Sequence, residues 1–301
     1  MDKVLLAKVL AAFASLCAGF SIVATRFIIE DTDPVTLAIL RFGIGSLCLA
    51  PFLILGFIRN PIAKADWPNI TLLGILFFGI FAFLFNTSLK YTTAAHGAVG
   101  LATSPIITLV LGWLLGRENM TKTKLICVIL ALIGVIAAVS DSLFENSVDK
   151  DILFGDGLML LSALTVSIYS IYAKPYIMKY GGLYFTSIIM VLGVLSLIIG
   201  SELAGGSIKL PTFSQTNWWI VLLLGVIGAA IQFGSFMWAH GWISPSTVGI
   251  ALTLTPISTF LFAWPILGEA ISYQAIIGLV LVVSAIVIMN KQPQSGEHGK
   301  R

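Results

Sequence analysis

Reactive side chains are scarce in this 301-residue chain and poorly placed for catalysis. His96, His240 and His298 fall at the ends of apolar stretches or in the C-terminal tail, while Cys17, Cys48 and Cys127 lie inside such stretches. No nucleophile stands with a base, no Cys/His set has metal-ligand spacing, and no G-x-x-x-x-G-K-[ST] loop could cradle a nucleotide. No catalytic residue, metal, cofactor or disulfide is expected. The chemistry that remains is hydrogen bonding by single polar side chains in apolar surroundings. Ser21, Asn86, Thr103, Tyr169, Gln232, Trp238 and Thr253 are the candidates for binding a small-molecule substrate, with helix-to-helix packing as the alternative role of each. Arg41 is the one charge clearly inside an apolar stretch. It either reaches back to the acidic turn of Glu30, Asp31 and Asp33 or meets an anionic group of a substrate.

The elements that hold these residues are membrane helices. Hydrophobic residues make up 58% of the chain and charged ones 10%, against about a quarter charged in a soluble domain. The apolar residues fall into about ten runs of roughly 20, each long enough to cross a bilayer as a helix. An all-α integral membrane protein of ten transmembrane helices is expected, with the lipid bilayer as partner. The net charge of +3 reflects basic residues beside the spans and implies no nucleic acid. A homodimer is left open.

Pro105 and Pro256 sit halfway along two of these runs. Each removes a helix hydrogen bond, leaving the carbonyls of Leu101 and Leu252 without their usual donors near the membrane midplane. A kink that gates access, or one that only shapes packing, follows from that position. The two runs are copies. At an offset of 151, Pro105 matches Pro256, Trp113 matches Trp264, Glu118 matches Glu269, and the match extends back through Gly74 and Gly225 to Trp67 and Trp218. A repeat unit of about five spans is odd, so the second copy enters the membrane inverted, and paired interrupted spans in such halves flank transport sites. The expected division is residues 4–140, a linker at 141–154, residues 155–290 and a tail at 291–301. The acidic residues Asp141, Glu145, Asp149, Asp151 and Asp156 of that junction read as a solvated outer loop. Most of the 17 Lys and Arg residues fall on segments that are inside if both termini are cytoplasmic, and the positive-inside rule selects that orientation.

The segments HGAVGLATSPIITLVLGWLLGRE and STVGIALTLTPISTFLFAWPILGE resemble the EamA family of the drug/metabolite transporter superfamily. Gly19 and Ser21 in the first span and Arg41 in the second extend the likeness, which covers nearly the whole chain, while Ala18 stands where the family often has tryptophan. The resemblance implies ten helices in two inverted halves and a central cavity lined by helices 1, 3, 4, 6, 8 and 9. It also implies export of amino acids or other small metabolites across the cell membrane. Import or exchange by the same fold is the alternative. An intramembrane enzyme lacks its catalytic set here; a receptor stays open until solute movement is tested.

Overall fold

A computed structural model describes residues 2–117, 119–144, 150–206, 211–243, 247, 251–269 and 272–290. Among them there is helix and no strand. The order is α1 Lys3–Ile28, α2 Pro34–Arg59, α3 Trp67–Gly74, α4 Phe81–Tyr91, α5 Ala94–Ala102, α6 Ser104–Leu114, α7 Lys122–Phe144, α8 Lys150–Tyr180, α9 Gly182–Leu203, α10 Gln215–Gly225, α11 Gln232–His240, α12 Leu254–Leu267 and α13 Tyr273–Asn290. Seven helical stretches among the described residues are long and apolar enough to cross a membrane, and shorter apolar helices lie at Leu254–Leu267 and Tyr273–Met289. Large side chains such as Leu47, Ile58 and Leu261 point outward, fully suited to lipid and to little else.

Helix starts are set by short polar caps. Asp33 accepts from the N–H groups of Val35 and Thr36 with Pro34 beside it, Thr93 accepts from His96 N–H, and Ser214 from Asn217 N–H. Each satisfies donors that the first helical turn leaves open. Thr121 caps α7 through Lys124 N–H, as its position before that run suggests; Glu118, expected to assist it, lies outside the described residues.

Two departures from regular helix were not evident in the sequence. Between α3 and α4 the chain makes a π-helical turn, Ile75–Ile80, and between α10 and α11 another, Val226–Ile231. They are separated by the same 151 residues as the prolines. The expectation of single kinked helices at Pro105 and Pro256 is also corrected. The helix breaks at Thr103 and at Thr253, and each proline occupies the first turn of a new helix, α6 or α12. There the missing N–H has no intrahelical partner to lose. The 141–154 linker is shorter than expected: α7 runs to Phe144 and α8 starts at Lys150, and residues 145–149 and the 291–301 tail lie outside the described set.

Packing pairs the chain before residue 145 with the chain after 149. The α1 helix lies on α11 and α12, α8 lies on α4, α5 and α6, α2 lies on α9, and α7 on α13. Exchanging the copies turns these pairs into one another, α8 on α5 excepted, whose counterpart at 245–253 lies mostly outside the described residues. The closest crossings use glycine because no side chain fits. A Cβ on Gly278 would stand 2.6 Å from the Gly134 carbonyl oxygen, and one on Gly134 would stand 3.0 Å from that of Gly278. In a bilayer, where apolar surface gains nothing by leaving lipid, such close backbone contact is what drives helix association. The end of the bundle where α1 begins is the near end below, and the opposite end is the far end.

Candidate functional site

The second π turn organises the interior. A π turn spaces its hydrogen bonds one residue wider than an α-helix and leaves carbonyls open to other donors. Gly228 lies in this turn, and its carbonyl accepts from Arg41 Nη2 at 2.8 Å, while Arg41 Nη1 stands 3.4 Å from Thr25 Oγ1. A Cβ on Gly228 would fall 2.3 Å from Ser21 Oγ, so a side chain there would displace that hydroxyl. One residue past the turn, Gln232 accepts from Ser21 Oγ at 3.1 Å. Ser21, Thr25, Arg41, Gly228 and Gln232 thus form one polar patch where α1, α2 and the π turn meet. The first reading of Arg41 is corrected. Its guanidinium does not reach the acidic turn, whose members are used elsewhere: Glu30 on Arg26, Asp33 as a cap, Asp31 on Asn217. No carboxylate lies within ion-pair distance of buried Arg41 among the described residues, and the rings of Phe42 and Phe85 flank it instead.

An aromatic cluster lies along the first π turn. Tyr169 stacks on Phe77 with centroids 4.0 Å apart and planes at 12°, and Phe233, next to Gln232, meets Phe77 and Phe78 edge-on. The Tyr169 hydroxyl is buried with no hydrogen-bond partner among the described residues, as are Arg41 Nε, Asn86 Oδ1, Ser162 Oγ and Thr255 Oγ1. Leaving such a group unpaired costs about 1–3 kcal/mol, so each is a standing offer to a polar ligand.

The remaining candidates separate by role. Asn86 donates through Nδ2 to the carbonyl of Pro34 at 2.9 Å, tying α4 to the start of α2. Thr103 donates to its own turn at Gly100 O, 2.6 Å. Next to Pro105, the Ser104 carbonyl accepts from Thr108 Oγ1 and, across the helix boundary, from Ser167 Oγ of α8. In the second copy the Thr255 carbonyl, next to Pro256, accepts from Ser258 and Thr259. Gly19 of α1 presses on this place: its Cβ would stand 2.6 Å from Thr255 O. Thr253 is buried beside it. Trp238 stands apart, packed on Trp242 in a groove at the near end.

Each end of the interior is tied across the chain halves. At the far end, Gly268 with φ 67° terminates α12 and presents Glu269. Glu269 accepts from Ala94 N–H at 3.0 Å and faces Arg26 Nε at 3.5 Å, an ion-pair contact without hydrogen-bond geometry. Burial pushes the Glu269 carboxyl above the usual carboxylate range, opposed by Ala94 N–H, Arg26 and His96. Asp156 of α8 accepts from Thr92 at 2.5 Å and pairs with His96 Nδ1 at 3.1 Å. Asp156 and His96, expected near water, are both buried. At the near end Asp66 binds Lys179 Nζ at 2.6 Å and Tyr180 OH at 2.5 Å. None of these ties was foreseen. Their partners lie at least 60 residues apart, and only the duplicated Gly-Glu ending gave a hint of Glu269.

Comparison with known proteins decides the class. A family model described as the EamA-like transporter family matches residues 5–140 and again 153–291. The chain belongs to this family. An uncharacterized transporter of Bacillus subtilis, YdfC, is 28% identical over 264 residues, covering 86% of this chain and 82% of its own. An uncharacterized transporter of Archaeoglobus fulgidus is 25% identical over 277 residues, covering 90% and 94%. A crystal structure with 17% sequence identity superposes with TM-score 0.62 over 94% of this chain and 96% of that one, a likeness of fold. As an EamA-family chain with several apolar helices, this is a multi-pass membrane protein of transporter type, and the names of its relatives indicate no enzyme.

Proposed function

We propose that the protein is a secondary transporter that exports a small polar or amphipathic metabolite, such as an amino acid, by alternating access. Two inverted five-helix halves, residues 4–140 and 155–290, would rock about a site between them, in a cell membrane with both termini cytoplasmic. The observation that carries this reading is the pairing of irregular backbone in the two copies. The π turns at Ile75–Ile80 and Val226–Ile231 and the helix breaks at Thr103 and Thr253 sit around buried polar atoms that lack partners. Irregular backbone within a membrane is tolerated where it lines a cavity or is buried in protein, and duplicated irregular spans border transport sites. The pairing of α1 with α11 and α12, matched by that of α8 with α4 and α6, and the ties at each end support this reading.

In this reading Ser21, Gln232, Arg41 and Tyr169 contact the solute, while Thr103, Pro105, Thr253 and Pro256 shape the breaks beside it. Asn86 holds α2 in place. The test is metabolite profiling of cells with and without the protein, followed by uptake of the displaced compounds into proteoliposomes. A compound that accumulates outside producing cells and crosses sealed liposomes only with the protein present supports export. Flux only in the inward direction favours an importer, and flux only with solute on both sides favours an exchanger.

A further inference from the structure

At the near end a groove of about 490 Å³ opens between α2, the α8–α9 turn and the end of α11. That volume is within the range of small-molecule sites, about 300–1,000 Å³. Phe52 and Leu55 form one wall and are 44% and 49% exposed, on a helix whose neighbouring Ile54 and Ile58 also face outward. The groove therefore opens sideways into the surrounding hydrocarbon. Trp238 and Trp242 form the opposite wall, the amphipathic rings that settle at the headgroup level. Space is kept open by Gly181, where a Cβ would meet nothing within 4 Å.

The charges at this groove are basic. Arg59, the last residue of α2, lines it and has no carboxylate within ion-pair distance among the described residues. Across the groove Lys3 lies 4.7 Å from the centre of the Trp242 ring. Tyr184, 6% exposed, presses its ring against the α2 backbone at Gly56. A guanidinium and an ammonium at the headgroup end of an apolar trough ask for an anion attached to a long hydrocarbon. Basic pockets between membrane helices meet anionic lipid headgroups in this way.

We propose that this groove binds one anionic phospholipid from the surrounding leaflet, its phosphate at Arg59 and an acyl chain along Phe52 and Leu55. The groove joins α2 of the first half to α9 and α11 of the second, so the bound lipid bridges the seam that rocking would open. The site is distinct from the Arg41 patch, and its test reads binding rather than flux.

The protein in detergent is examined by native mass spectrometry and thermal unfolding with dioleoyl phosphatidylglycerol, dioleoyl phosphatidylcholine or inorganic phosphate. The wild type is expected to retain one phosphatidylglycerol and to melt at higher temperature with it. Phosphatidylcholine and inorganic phosphate should do neither. Arg59→Gln should weaken the adduct roughly ten-fold, the worth of one charge-assisted hydrogen bond. Tyr184→Phe, whose lost hydroxyl is shut off from the groove, should bind like the wild type. Gly241→Leu, in a right-handed helical conformation beside open groove, should fill the trough and abolish binding. Equal retention of the two lipids, wild-type phosphatidylglycerol binding by Arg59→Gln, or stabilisation by inorganic phosphate alone would overturn the assignment.

Discussion

Arg41 is the residue on which sequence and structure most usefully differ. The sequence places a charge inside a span; the structure adds that a π-turn carbonyl receives it and that no carboxylate does. A buried cation with no counter-ion is costly, because burial removes its hydration without a Coulombic return. Arg41→Met is therefore expected to leave a folded protein, losing no more than about 1–3 kcal/mol with the Gly228 bond, while flux falls at least ten-fold. Unfolding temperature and liposome flux measured on one preparation check this, and unchanged flux would remove Arg41 from the site. Glu269 makes a prediction of opposite character. Its carboxyl titrates above the usual range because of burial, so the closed far end favours the protonated form. The stabilisation from that proton is complete below the ordinary carboxylate range and is lost as pH rises through the raised value. Thiol labelling of a cysteine at Ser272, in a background without Cys17, Cys48 and Cys127 and with the rate corrected for the thiolate fraction, should increase as pH rises through that window. Glu269→Gln should flatten the profile; increased labelling on acidification would contradict the sign. Ser21, Gln232 and Arg41 were legible because a polar side chain in an apolar run is conspicuous. Their mutual arrangement was not, since it depends on a contact 211 residues apart.

At the scale of elements, spans and prolines could be read from apolar runs and composition, whereas the π turns could not. The stretches ILFFGI and VIGAAI carry the same apolar signal as regular helix, and only packing against neighbours shows the extra residue. Glycine spacing gives a similar lesson. Gly278 and Gly43 look alike in sequence, yet a Cβ at Gly278 meets Ala138 Cβ at 2.5 Å and one at Gly43 meets nothing within 4 Å. Gly278→Ala should destabilise by about 1–3 kcal/mol through overpacking, and Gly43→Ala should be neutral or slightly stabilising through better helix propensity. Thermal unfolding of both variants decides it; equal melting would mean that α7 and α13 do not cross so closely. Pro105→Ala and Pro256→Ala should insert and fold but lower flux, because a continuous helix through Thr103 or Thr253 disfavours the broken form. Wild-type flux in both variants would confine the breaks to packing.

For the whole molecule, duplication was readable at the sequence level because residue types recur at one offset, and the family model matches each copy separately. The closing of the interior was not readable, since it rests on ties between Asp156, Glu269 and the Thr92–His96 segment at one end and on Asp66 at the other. Those ties lead to the measurement that bears most directly on alternating access. Ala94 and Glu269, joined here through the Ala94 N–H and the Glu269 carboxylate, would both be changed to cysteine in the background lacking the three native cysteines. A short cleavable thiol-specific linker would join them in proteoliposomes loaded with the solute found by profiling. Alternating access predicts that flux stops when the far end is cross-linked and returns when the linker is cleaved, while each single-cysteine variant is unaffected by the reagent. Undiminished flux through the cross-linked protein would contradict it.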